Sequence, residues 1–331
     1  MADTNKIKRI GVLTSGGDAP GMNSAVRGVV RTAIGNDINV FAIKWGYKGL
    51  MEGNIEPIYA RDVSGFGRMG GTRLGSARAP KFNSEEGMQI AIEYIKALEL
   101  DGLVVIGGDG SLRGANDLHQ RGIKVVGIPA SIDNDIAHTS FSIGTDTALN
   151  TILDAVDKIR DTAGAHYRGF VIEVMGNKNG YLALNSGIAC GAELIILPNM
   201  EINEDNIIHT IKSTFARKKT SFICIAAEGA STKEYNITDK LVQIITDAGA
   251  EARKTVLGHV QRGGTPSAFD RVLGTRFGAE AVELLIKGTS GVMVGLENNH
   301  IINTPIPKVC QDTKKLTVPK DIADIVEGLS I

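Results

Sequence analysis

Apolar residues in this chain come in short unbroken runs, each followed by glycines or carboxylates and then by a stretch with helical periodicity. Leu103-Val104-Val105-Ile106 and Val125-Val126-Gly127-Ile128 are two such runs. A strand that is apolar on both faces is the mark of a buried parallel sheet. Between them residues 112–121 carry a helix pattern. The unit therefore reads strand, Gly107-Gly108-Asp109-Gly110-Ser111, helix, strand, Ser131-Ile132-Asp133-Asn134-Asp135. The same rhythm predicts strands at 7–14, 39–43, 170–174, 194–197, 222–227, 255–257 and 291–296. It predicts helices at 24–34, 85–98, 146–163, 181–190, 205–215, 239–247 and 269–285. Residues 46–50 are expected to form a loop exposing Tyr47. The tail, with Pro305, Pro307 and Pro319, is expected to be irregular until a short helix at 321–329. Such alternation predicts an α/β protein with mostly parallel sheets and ligands at the carboxyl ends of the strands. A new apolar face begins near residue 144, where a domain boundary is expected.

The chemistry sits in the loops that leave the strands. The 40 glycines cluster in pairs after apolar runs, where backbone N–H groups can approach a bulky anion. Ser15-Gly16-Gly17-Asp18-Ala19-Pro20-Gly21-Met22-Asn23 is one such loop, but no Gly-Lys-Ser/Thr comes after it, so it is not a Walker A motif. A tight strand-to-helix turn would look the same, and alone this loop decides nothing. The segment 68–78 adds three arginines among glycines, suited to clamping phosphate. Carboxylates beside anion loops need a reason to be there; a divalent cation for one and proton abstraction for another supply it. Net charge is −1, which points to neither a nucleic-acid nor an acidic-membrane partner. Cys190, Cys224 and Cys310 are far apart and match neither zinc nor disulfide spacing. With no signal-peptide core and no membrane-length apolar run, a cytoplasmic location is expected.

Thr14–Asn23, Gly75-Ser76-Ala77-Arg78, Gly107–Ser111, Ile132–Asp135, Glu173-Val174-Met175-Gly176 and Leu257–Gly264 together resemble the 6-phosphofructokinases of the short-chain, ATP-dependent bacterial type, in order and with the family's spacing from about residue 7 to about 300. The resemblance implies two Rossmann-like three-layer domains with the active site in the cleft between them, and a homotetramer. It implies an ATP-binding domain of residues 1–144 plus about 261–311 and a fructose 6-phosphate domain of 145–260 plus about 312–331. The implied reaction moves the γ-phosphate of MgATP to the 1-hydroxyl of fructose 6-phosphate. A pyrophosphate donor, another sugar phosphate, or a non-catalytic regulatory paralogue are the alternatives.

Carried over by motif, Asp133 is the general base and Asp109 the Mg²⁺ ligand, with Asp135 in support. Gly17, Gly108, Asp109, Gly110 and Ser111 cradle the ATP phosphates, Arg78 neutralises charge in the transition state, and Tyr47 lies by the nucleoside. Ser131, Met175, Gly176, Glu228, His259 and Arg262 bind the sugar phosphate, with Arg168 and Arg253 reaching in from a neighbouring subunit. Arg27, Arg31, Arg160, Glu193, Arg217 and Lys219 match an effector site for ADP or phosphoenolpyruvate, although Ala60, Gly65 and Ser221 depart from its usual residues. Ala79, Asn83 and Asn177 stand where relatives carry an aromatic and two arginines. Small residues at Gly110 and Ala130, where pyrophosphate users usually carry aspartate and lysine, leave room for a nucleotide.

Overall fold

The computed structural model describes residues 7–166, 168–232 and 234–318. The elements of the first half are β1 (Arg9–Ser15), α1 (Met22–Gly35), β2 (Asn39–Ile43), α2 (Gly46–Glu52), β3 (Ile55–Ile58), α3 (Glu85–Ala97), β4 (Gly102–Gly107), α4 (Asp109–Gln120), β5 (Val125–Pro129) and α5 (Thr145–His166). After these come β6 (Arg168–Val174), α6 (Tyr181–Ala189), β7 (Leu194–Ile196), α7 (Glu204–Ala216), β8 (Ser221–Ala227), α8 (Ile237–Asp247), β9 (Glu251–Val256), α9 (Ala268–Ile286), β10 (Val292–Glu297), β11 (His300–Pro305) and α10 (Ile306–Gln311). Several helices begin where a side chain can replace the missing acceptor of the first turn. Ser84, Asn203, Asn236 and Ser267 each accept the N–H three residues on.

The chain divides into two compact units. Among the described residues, one comprises 7–132, Ile136–Thr147 and Arg262–Lys314; the other comprises Asp133–Asp135, Ala148–Gln261 and 315–318. The first unit holds a sheet in the order β11-β10-β5-β4-β1-β2-β3, parallel except at its two edges. Ile10, Val12 and Leu13 of β1 and Leu103 to Ile106 of β4 are wholly buried, which is why these strands are apolar on both faces. The second unit holds a parallel sheet in the order β7-β8-β6-β9, whose core gathers Val171, Ile211, Phe222, Leu241 and Ile245.

Three features differ from the sequence reading. Residues 46–50 form the body of α2, not a loop. α4 starts at Asp109, so the carboxylate belongs to a helical first turn, where the helix dipole favours it. The tail up to Gln311 is ordered. Leu296↔Ile301 and its neighbours pair β10 with β11, and Pro305 and Pro307 open α10, where a missing N–H breaks no bond. The expected helix at 321–329 lies outside the described residues.

Candidate active site

In the first unit, the chain runs from β1 to β2 on one side and then crosses to β4 on the other, so the direction of winding reverses between β1 and β4. In open α/β sheets that reversal leaves a crevice at the carboxyl ends, the place where ligands bind. Both glycine loops emerge there, because Ser15 and Gly107 are register partners. A side chain at Gly107 would place its Cβ 2.4 Å from the Ser15 carbonyl, so only glycine allows the loops to lie this close. Beyond it, Gly108 opens α4 without a side-chain cap. Helix N–H groups at such an end are left for water or an anion.

The arginine loop is tied to this cradle by side chains the sequence reading missed. Asn23 is fully buried. Its amide donates to the Met69, Gly70 and Gly71 carbonyls at 3.0, 3.2 and 3.1 Å and accepts the Arg73 N–H at 2.8 Å. Thr14 Oγ1 donates to Gly75 O at 2.9 Å and Ser76 Oγ to Gly16 O at 2.5 Å. Arg78 emerges from this braced loop exposed, with no hydrogen bond or ion pair among the described residues. Asp109 is exposed as well, its Oδ2 accepting from Arg113 Nε at 2.9 Å. Gly110 faces open space, and a Cβ there would meet nothing within 4 Å.

Tyr47 corrects an expectation. It is only 5% exposed, stacks on Phe82 with ring centres 4.0 Å apart, and donates its hydroxyl to the Ser111 carbonyl at 2.6 Å. Burial pushes the phenol well above its usual range. Tyr47 therefore supports Ser111 from beneath and shows no exposed ring face of the kind expected beside a nucleoside. Arg262, expected on the sugar-phosphate side, packs on the first glycine loop. Its Nη1 would lie 2.5 Å from a Cβ at Gly17 and donates to Asp18 O at 3.4 Å.

Ser131 follows β5 by two residues in the first unit, its carbonyl accepting from Ser142 Oγ at 2.6 Å and Thr145 Oγ1 at 3.1 Å. The next segment turns at Asn134, which is buried and left-handed at φ 50°, with Asp133 and Asp135 half-buried on either side. A fully buried carboxylate that the sequence reading overlooked braces the other end of this loop. Asp270 accepts from Gly144 N at 2.8 Å, Thr147 N at 2.8 Å and Thr147 Oγ1 at 2.6 Å. Burial nevertheless raises its carboxyl to about 6.

In the second unit, β6 has β8 on one side and β9 on the other, and their carboxyl ends carry the remaining candidates. Met175 donates its N–H to Gln261 Oε1 at 3.1 Å. Gly176 takes φ +132°, a conformation only glycine holds comfortably. Asn177 N donates to Glu228 Oε1 at 2.9 Å, so Glu228 is tied to this loop. His259 stands in the short 3-10 helix after β9. Arg168 is separate from these: it begins β6, at the opposite end of a seven-residue strand. There Arg168 Nε donates to Glu251 Oε2 at 2.8 Å and Arg253 Nη2 to Glu251 Oε1 at 2.6 Å, so one carboxylate gathers both arginines.

The effector candidates divide. Arg27 and Arg31 lie on α1 of the first unit. In the second, buried Glu193 accepts from Lys219 Nζ at 3.2 Å and from Ile223 N at 2.8 Å. Arg160 donates to the Cys190 carbonyl at 2.6 Å, and Arg217 lies exposed at the end of α7.

Glycine loops at a switch point, a helix end and free arginine beside them define a phosphate-binding protein of the doubly wound α/β class. The family model described as Phosphofructokinase matches residues 9–285, and the chain belongs to that family. It is 48% identical over 325 residues to the ATP-dependent 6-phosphofructokinase of Halalkalibacterium halodurans, covering 98% of this chain and 100% of that one. It is 49% identical over 326 residues to the protein of the same name from Bacillus velezensis, with the same coverage of 98% and 100%. Among solved structures, phosphofructokinase from Saccharomyces cerevisiae superposes with a TM-score of 0.85 at 36% identity, covering 98% of this chain but only 47% of that longer one. A pyrophosphate-dependent phosphofructokinase from Marinobacter aquaeolei shares the fold, with a TM-score of 0.84 at 21% identity over 98% of this chain and 91% of that one.

Proposed function

We propose that the chain catalyses phosphoryl transfer from MgATP to the 1-hydroxyl of fructose 6-phosphate, giving fructose 1,6-bisphosphate and ADP. The observation that carries this reading is the paired glycine loops at the switch point, braced by Asn23, Thr14 and Ser76. Such transfer needs little covalent chemistry from the protein and much positioning and charge. Backbone at Gly17 and at Gly108 to Ser111 holds the donor phosphates. Arg78, free and exposed, meets charge as it shifts in the transition state. Asp133 takes the proton from the attacking hydroxyl.

The residues present fit Mg²⁺. Asp109 offers exposed carboxylate oxygen beside the phosphate cradle. No group of three or more His, Cys, Asp or Glu able to hold a metal occurs among the described residues, as suits an ion held largely by nucleotide phosphates. Bound there, Mg²⁺ would neutralise phosphate charge.

Ser131, Asp135, Met175, Gly176, Glu228, His259 and Arg262 serve the sugar phosphate, and Arg168 and Arg253 serve a neighbour's site in a homotetramer. Arg27, Arg31, Arg160, Glu193, Arg217 and Lys219 would bind ADP or phosphoenolpyruvate. No helix among the described residues is long and apolar enough to cross a membrane; the cytoplasm is the compartment proposed for the reaction. Open space at Gly110 supports ATP over pyrophosphate. The test is the initial rate of fructose 6-phosphate phosphorylation with ATP and, in parallel, with pyrophosphate. Turnover with ATP alone is the expected result. Turnover with pyrophosphate alone would reassign the donor, and turnover with neither would favour the regulatory paralogue.

A further inference from the structure

With Tyr47 turned inward, an aromatic that does face solvent where β2 gives way to α2 is the chain's one tryptophan, Trp45, at 52% exposure. Its backbone is left-handed at φ 62°, an outlier for so bulky a residue, and such strain persists where the surroundings impose it. The surroundings here are the donor loops themselves. Trp45 N–H donates to the Leu74 carbonyl at 2.8 Å. The ring lies on Gly75, where a Cβ would come within 2.7 Å of Cε3 and 2.9 Å of Cζ3. Gly46, next in the chain, presses on the first glycine loop, where a Cβ would sit 2.8 Å from Thr14 O. Gly75 is joined to Thr14 and Ser76 to Gly16 by the hydrogen bonds already described. The indole is thus fixed on the segment that leads through Ser76 and Ala77 to Arg78, beside the first glycine loop. Ala79, where relatives carry an aromatic, has no ring, and nearby Phe82 is buried and stacked on Tyr47.

We infer that Trp45 is the residue on which the donor's purine base stacks, a contact that discriminates a nucleoside triphosphate from a bare polyphosphate. The inference rests on the proposed use of a nucleotide donor. An indole offers a large flat face and little rotamer freedom to lose, and stacking is tolerant of base identity because every base presents a π-face. GTP therefore engages Trp45 as ATP does.

The single tryptophan is also the reporter. The full chain with Mg²⁺ is titrated with ATP, GTP and inorganic tripolyphosphate while its fluorescence is followed. ATP and GTP are expected to quench or shift the emission saturably, and tripolyphosphate, which brings phosphates without a base, is expected not to. Trp45→Ala is expected to raise the KM for ATP about 5- to 10-fold, with a far smaller effect on the KM for fructose 6-phosphate. Trp45→Phe is expected to recover most of that loss, which a merely structural role for the indole would not predict. Identical responses to ATP and tripolyphosphate, or no response to ATP at concentrations that saturate turnover, would overturn the assignment of Trp45 alone. A parent enzyme that turns over no nucleotide would remove the donor reading and this inference with it.

Discussion

Replacing Asn23 by alanine tests whether the arginine loop is held by one side chain. The Asn23 amide is fully buried, donates to three consecutive backbone carbonyls and accepts one N–H. Removing it strands the Arg73 N–H outright and leaves the Met69, Gly70 and Gly71 carbonyls short of a donor. A buried polar group left unpaired costs about 1–3 kcal/mol, and carbonyls with a second lone pair sit at the low end. The whole change should cost about 3 kcal/mol in the first unit. Urea unfolding followed by Trp45 fluorescence isolates that unit, because the only tryptophan lies in it. The same loop carries Arg78, so the KM for ATP should rise about tenfold, with a smaller effect on fructose 6-phosphate. Asn23→Asp is the sharper version: it is nearly isosteric but turns donors into an anion facing three carbonyl oxygens, and it should be worse than alanine. A loss below about 0.5 kcal/mol for Asn23→Ala, with the KM for ATP unmoved, would show that the loop holds itself and that the network is incidental.

Asp133→Ser should lower kcat by about 10²–10⁴-fold while fructose 6-phosphate still binds; an unchanged kcat would remove the base assignment. Gly17→Ala puts a methyl carbon 2.5 Å from where Arg262 Nη1 now lies. The guanidinium is the flexible end of its side chain, so stability should shift by less than about 1 kcal/mol while kcat falls sharply; normal turnover would mean Arg262 is not needed where it stands. Asp270 makes stability depend on pH in a direction opposite to a salt-bridged carboxylate. Its folded value of about 6 lies above the ordinary 3.8, so its contribution is fully present below pH 3.8 and is lost as pH rises through 6. The ionised form costs about 3 kcal/mol at neutral pH. Asp270→Asn should flatten the Tm-against-pH curve between about pH 4 and 6, and an identical slope in the variant would refute it.

The alternation of apolar runs was legible because a parallel strand buried on both faces leaves no choice of residue. Each predicted strand overlaps one in the structure, although β9 was placed only at its end. What the pattern hid has specific causes. β9 reads Glu251-Ala252-Arg253-Lys254-Thr255-Val256, an edge strand with most side chains in water, so no apolar run marks it. β3 contains Pro57, and β11 with α10 contains Pro305 and Pro307; each is tolerated because it falls at an edge or a helix start. Among the candidate site residues, the glycine loops were legible because close backbone approach admits only glycine. The braces were not. Asn23 and Asp270 are single polar residues whose partners lie 46 to 50 and 123 to 126 positions away, and Glu251 joins Arg253 to Arg168, 83 positions distant, separations no local pattern spans.

Tyr47 and Trp45 show where motif transfer between relatives meets its physical limit. Matching a tyrosine to a family position says which residue is present, but the direction of its ring depends on what lies beneath it. Here Phe82 offers a face to stack on and the Ser111 carbonyl a partner for the hydroxyl, so the ring turns inward. Two residues earlier the backbone is held left-handed by the Leu74 carbonyl and the tight fit at Gly46. An indole there cannot reach the interior, and it settles on Gly75 with a face in solvent. An inward tyrosine that supports Ser111 and an outward tryptophan on Gly75 divide between them what one motif position was expected to do. Tyr47→Phe should therefore affect stability more than nucleotide affinity, and Trp45→Ala the reverse.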